Sequence, residues 1–299
     1  MNQKLSQCAG GLLGLLGLLG LLLGGTACEQ GQYMPGLTDQ GTGVDQAAGP
    51  LDMLGPSPDF GPSVMTTIRD LNQGQQPSGT RVQFVGVVQS PVAYAYAVQQ
   101  NEYCMYELVV VQASSSPTLQ DGMVLRTSQR AVAPGMMITQ AQCQQRAMTL
   151  PIGGVPRGHT AAVVGVLNVE NTGQRVVYVT TGSVQDQGVA ALQPTPVVVT
   201  PSQLVSAALG VAPMSFQQSS GALVRMDTVT TTDRNVLQQT FKVVAGGPDT
   251  TRVAPSYLRV ANSAYMSPVD GTKLKSLIGL VSVDLGGTIW PRATDDLIP

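Results

Sequence analysis

A single histidine, His159, is present in the whole chain. A metal centre built on several imidazoles therefore cannot form, and a Ser-His-Asp triad would have to use this one residue. His159 lies in Pro156-Arg157-Gly158-His159-Thr160, a loop leading into a strand, and no GxSxG serine elbow accompanies it. It reads as an exposed loop histidine. Charge is scarce too: 11% of residues are charged and the net charge is −2, so composition offers no basic stripe for nucleic acid. The four cysteines include no CxxC pair. There is no phosphate-binding GxxxxGK[ST], no dinucleotide GxGxxG after a strand and no DxDxDG calcium loop. Acidic neighbours such as Asp295-Asp296 exist, but adjacent residues on a strand point to opposite faces. No catalytic residue, cofactor or metal ligand can be nominated, and the chain reads as non-enzymatic.

What is present begins with a leader. Lys4 is the one charge in the first eight residues, and an unbroken Leu/Gly stretch then runs from Ala9 to Ala27. A short basic start, an apolar core and small residues before a cut site are the parts of a secretory signal. Nineteen residues approach the roughly 20 that span a bilayer, but seven of them are glycine and no basic stop follows Cys28. The segment ends Gly24-Gly25-Thr26-Ala27-Cys28, which resembles the lipobox of bacterial lipoproteins, except that Gly25 stands where Leu is usual. The resemblance implies cleavage after residue 27 and acylation of Cys28. The expectation is an exported protein, lipid-anchored at the outer membrane, cell surface or periplasm, with the membrane as one partner.

Residues 29–62 contain five acidic residues (Glu29, Asp39, Asp45, Asp52 and Asp59) and no basic one, among many Gly, Pro and Gln. Such a stretch buries too little apolar surface to offset its ordering entropy, so residues 28–62 read as a flexible tether. Cys8 leaves with the leader and Cys28 would carry lipid, which leaves Cys104 and Cys143. In an oxidising compartment that pair is expected to form a disulfide.

Beyond the tether the pattern is β. Residues 80–90 place Val82, Phe84 and Val88 on one face, residues 91–98 alternate through Val92, Tyr94, Tyr96 and Val98, and a polar turn leads into 103–112. Further strands are expected at 122–127, 160–169, 174–181 and 195–199. Helical signals are few: Ser202–Leu209, and a turn near Val64–Leu71. An internal repeat organises the strands. Ser78-Gly79 with the strand that follows returns at Ser220-Gly221, and Val164-Gly165-Val166 returns as Ile278-Gly279-Leu280, with Thr172-Gly173 matched by Gly286-Gly287. The second copy is shorter, so the first carries an insertion that contains Cys143. Two β modules follow, 63–190 and 196–299.

Short β-branched runs between Gly and Pro indicate a small barrel or sandwich. A start like "IRDL…GTRVQFVGVV", a strand like "YELVVVQ" and an ending "IWPRATDDL" resemble bacterial secreted OB-fold modules found beside extracellular nuclease domains and in stand-alone lipoproteins. No nuclease domain is attached. The resemblance implies two tandem five-stranded Greek-key barrels; that family often closes its barrel with a Pro-Arg and a nearby Asp, here Pro291-Arg292 and Asp295-Asp296 at the ending. Tyr94, Tyr96, Tyr103 and Tyr106 cluster in one hairpin, with Arg81 and Arg126 as nearby cations. These six are the candidate ligand-binding residues. Tyrosines on strands serve packing first; a protein or glycan partner comes next. Single-stranded nucleic acid, which OB barrels bind by stacking in a basic groove, ranks last because near-neutral modules lack the electrostatic drive.

Overall fold

The structure is a computed structural model that describes residues 62–90, 94–98, 103–130, 136–147, 154–171, 173–179, 183–204, 218–257, 265–282 and 288–299. The leader, Cys28 and the tether up to residue 61 lie outside these ranges.

Alternation builds the first barrel as expected. On β2 (Arg81–Val88), Val82, Phe84 and Val88 are buried in one core; on β6 (His159–Val169) the inward set is Ala161, Val163, Gly165 and Leu167. With β4 (Tyr103–Val111), β5 (Gly122–Arg130) and β7 (Arg175–Tyr178) they close a circuit β2-β4-β5-β7-β6-β2. Every pairing is antiparallel except β5 with β7. The second barrel repeats that circuit with β10 (Leu223–Asn235), β11 (Thr240–Val244), β12 (Thr250–Val253), β14 (Thr288–Trp290) and β13 (Lys273–Ser282), and again only one pairing, β12 with β14, is parallel. The protein is all-β with two tandem OB-like barrels, as the sequence implied.

The repeat read from sequence is structural. Val82 lies opposite Gly165, and Val224 opposite Gly279. A Cβ at Gly165 would sit 2.5 Å from the Tyr178 carbonyl oxygen, and one at Gly279 would sit 2.4 Å from Ile289 Cγ2. Each barrel therefore closes over a glycine because two strands cross there too tightly for a side chain. The repeat also reaches further back than the sequence alignment did. β1 (Val64–Met65) runs parallel to β2 with Val64 opposite Val82, and β9 (Val197–Val198) runs parallel to β10 with Val197 opposite Val224. Each leads into a short helix, α1 (Ile68–Asn72) or α3 (Pro201–Leu204), which buries Leu71 or Leu204. The expected helix at Ser202–Leu209 thus starts one residue earlier, and its part beyond Leu204 lies outside the described residues.

The insertion in the first copy consists of β3 (Tyr94–Val98), paired antiparallel with β4, and α2 (Gln140–Ala147). Sequence reasoning missed α2, since QAQCQQRA has no apolar stripe. What holds it is covalent: Cys143 is bridged to Cys104 of β4, and both cysteines are fully buried. The expected disulfide is present. Closing a loop of sequence separation 39 contributes roughly 4 kcal/mol in the chain-entropy model. Reduction, or Cys143→Ser, should lower unfolding free energy by about that much in a urea titration, with α2 released first. β8 (Val184–Val189) was also unread, because its exposed VQDQGV edge shows no sustained alternation.

The barrels pack front to back. On β4, Cys104, Tyr106, Leu108 and Val110 point inward, leaving Tyr103, Met105, Glu107, Val109 and Val111 on the outer, front face. Val109, Val111, Val124 and Val176 of that face are buried against Leu223, Leu280 and Tyr257 of the second barrel, with Ile278 and Trp290 alongside. Leu223, Ile278, Leu280 and Trp290 come from β10, β13 and β14, the back of the second barrel. At the centre the backbones nearly touch: a Cβ on Gly122 would lie 2.1 Å from the Gly221 carbonyl carbon. Polar contacts frame the junction, with Gln174 Nε2 donating to Ser220 Oγ (2.7 Å) and Arg292 Nη1 to Gln89 Oε1 (2.6 Å). Seven buried apolar side chains at about 1.5–3 kcal/mol each outweigh a few hydrogen bonds at about 1 kcal/mol each, so apolar burial holds the barrels together.

Candidate functional site

The six candidate residues do not share one surface. Tyr106 points into the first barrel, is fully buried, and has a hydroxyl without a hydrogen-bond partner among the described residues. Burial pushes its phenol pKa up, against a smaller opposing effect of Arg146. It is a core residue, which corrects its place among ligand candidates. Arg126 is on the front face but buried, paired with Glu107 on the neighbouring strand and with Glu170. A buried guanidinium held by two carboxylates is structural. Burial likewise pushes up the neighbouring Tyr178 phenol, with Arg126 pulling the other way. Arg81 stands on β2 opposite Val166, away from the tyrosine hairpin.

The remaining three do fall together by register. Tyr94 is opposite Glu107, Tyr96 opposite Met105 and Val98 opposite Tyr103, while Met105 and Tyr103 continue to Ser128 and Arg130 on β5. With a strand period of 2, Tyr94, Tyr96 and Tyr103 occupy positions on the front face, beyond the part that the second barrel covers.

His159 opens β6, where its Nδ1 lies 3.0 Å from both carboxylate oxygens of Asp186. The Gly188 N–H first, and then His159, hold the Asp186 carboxyl below the usual carboxylate range. Among the described residues the ring bonds nothing else, and the pair ties β6 to β8. Asp295 and Asp296 separate as well: Asp295 is exposed, whereas Asp296 is buried in a turn and takes Arg292 in a two-pronged ion pair. No group of three or more His, Cys, Asp or Glu that could hold a metal gathers among the described residues. No described helix is long and apolar enough to cross a membrane.

The open sheet surface belongs to the second barrel. Its front, the outer side of β10, β11 and β12, presents two cross-strand rows. One runs Lys273–Thr230–Val244–Thr250; the other runs Thr232–Lys242–Arg252. Lys242 and Arg252 are thus directly opposite, a like-charge pairing that sheets normally avoid. Lys242 donates to Asp233 Oδ2 at 2.9 Å, and this contact keeps the Asp233 carboxyl below its ordinary pKa. Backbone strain gathers on the same hairpin. Thr228, Asp233 and Gln239 are the non-glycine residues with positive φ (54°, 52° and 56°) among those described, and each such residue costs about 1–3 kcal/mol. Sequence reasoning overlooked this face because its charges are 10 or more residues apart along the chain; only the alternation of Thr and Lys in Thr240–Val244 hinted at it.

No family model matches the chain, and no curated protein matches it. Among solved structures it is similar to a deletion mutant of the single-stranded DNA-binding protein from Thermus aquaticus, at 13% identity and a TM-score of 0.21, over 72% of this chain and 91% of that one. A superposition that loose adds nothing to the strand topology described above.

Proposed function

We propose that this chain is a non-enzymatic envelope protein, exported by its leader and held at the membrane by a lipid on Cys28. Its two barrels act as a single scaffold that presents a recognition surface. The observation that carries the reading is the front-to-back docking: OB barrels bind ligands on the face of their second and third strands. That face is largely sealed in the first barrel, whereas in the second it takes no part in the apolar junction and Thr230, Lys242, Thr250 and Arg252 are half-buried. In this arrangement the first barrel is a platform and the second does the binding.

The test is a photoreactive residue at Thr250, on the front of the second barrel, compared with one at Val85, on the exposed outer side of β2. In intact cells position 250 should form adducts and position 85 should not, and Cys28→Ser should shift the protein from the membrane to the soluble fraction. Adducts of equal yield at both sites, or none at 250, would remove the second barrel as the binding side.

A second reading, binding of single-stranded nucleic acid, is favoured by one observation: Tyr94, Tyr96 and Tyr103 occupy register positions on one face of β3 and β4, and Arg130 is the β5 position opposite Tyr103. It requires salt-sensitive retention of oligothymidylate that Tyr94→Ala or Tyr96→Ala weakens.

A further inference from the structure

The front of the second barrel has a chemistry more specific than an open sheet. Four cations mark a stripe across four adjacent strands: Lys273 and Lys275 on β13, Lys242 on β11 and Arg252 on β12, with β10 between. At a strand spacing of about 4.8 Å and a rise of about 3.4 Å per residue, Lys242 and Arg252 stand roughly 5 Å apart, and Lys273, two strands over and two residues along, roughly 12 Å from Lys242. Thr230 and Thr232 lie between them on β10, and Thr250 flanks Arg252 on β12. The one carboxylate paired into the stripe is Asp233; Asp227 is occupied by Arg225 on the same strand. Among the described residues Arg252, Lys273 and Lys275 have no carboxylate partner, and both lysines are exposed.

On a chain with a net charge of −2, a row of cations in which, among the described residues, Lys242 alone has a carboxylate partner works against the fold. Like charges directly opposite destabilise a sheet. Such a surface is relieved by an anion that spans it. The interior side of these strands carries Phe241, Val243 and Val253, all in the barrel core, so among the described residues the outer side of β10, β11 and β12 offers hydroxyls, cations and Val244 but no aromatic ring. Bases would find no stacking platform there. An extended polymer with repeated carboxylates and many hydroxyls would find both of its groups matched.

We infer that the β10–β11–β12 face binds an anionic polysaccharide, with Lys242, Arg252 and Lys273 meeting its carboxylates and Thr230, Thr232 and Thr250 its hydroxyls. This rests on the reading of the second barrel as the binding side. The probe is a polyuronate, with oligothymidylate as comparison, offered to the full-length protein in detergent across a salt series. Polyuronate should bind, weaken as salt rises, and lose about tenfold in affinity at low salt in the pair Arg252→Ala with Lys273→Ala. Lys273→Arg should retain binding, and the double variant should melt at or above the wild-type temperature, because both sites are on the outer face and Arg252→Ala removes the like-charge pairing with Lys242. Absence of polyuronate binding at about 20 mM salt, or unchanged affinity in the double variant, overturns the inference. So does tighter binding of oligothymidylate that depends on Tyr94. If polyuronate fails while the photoreactive Thr250 position still forms adducts, the ligand class is wrong and the binding side stands; if both fail, the binding side falls as well.

Discussion

Gly122→Val should part the two barrels. The added side chain begins 2.1–2.2 Å from the backbone of Gly221 and Ala222, where neither partner has a flexible end that can move aside. Overpacking a closed site costs about 1–3 kcal/mol when side chains can yield, and here only a shift of a whole barrel relieves the clash. That shift exposes Val109, Val111 and Leu223. The loss should exceed about 3 kcal/mol, and calorimetry should show one transition resolving into two as the barrels unfold separately. Gly247→Ala, where nothing lies within 4 Å of the new Cβ, should leave the single transition in place. One unchanged transition in Gly122→Val would mean that the junction is softer than its geometry.

The second large effect is expected at the closing turn. Asp296, 3% exposed, accepts the Arg292 backbone N–H at 2.7 Å, Nε at 2.9 Å and, through its other oxygen, Nη2 at 2.7 Å. Asp296→Ala strands a buried guanidinium with, among the described residues, only Gln89 to accept from it. Breaking one half of a buried pair costs about 3–5 kcal/mol, a large part of the 5–15 kcal/mol that domains usually have. Asp295→Ala, one residue away and exposed, should change stability by less than about 0.5 kcal/mol. Denaturant titration separates the two. Replacing both members, Arg292→Met with Asp296→Leu, should recover much of the loss, since the uncompensated charge is then gone. Equal effects at 295 and 296 would refute this account of the turn.

Much of the fold was legible because it depends on short-range pattern. Val82, Phe84 and Val88 announce a strand by their alternation, and Gly165 and Gly279 announce the repeat because one crossing geometry in each barrel tolerates no Cβ. Cys104 and Cys143 were paired by elimination, and the structure joins them. The site was far less legible. Four tyrosines in one hairpin looked like a cluster, yet position parity sends Tyr106 into the core and the other three to the outer side. Arg126 looked like a groove cation, but Glu107 across the strand and Glu170 beyond it neutralise it. In the second barrel Lys242, Arg252 and Lys273 are dispersed through polar strands, and nothing local brings them together.

By itself, then, the order of residues determined strands, repeat and crosslink, because periodicity, glycine and cysteine act through neighbours and through exclusion. Tertiary structure decided which sheet face stays open. That choice depends on how Gly122 and a set of valines on one barrel fit Gly221 and the leucines of another roughly 100 residues later, and shape complementarity over such a distance leaves no periodic trace in a sequence.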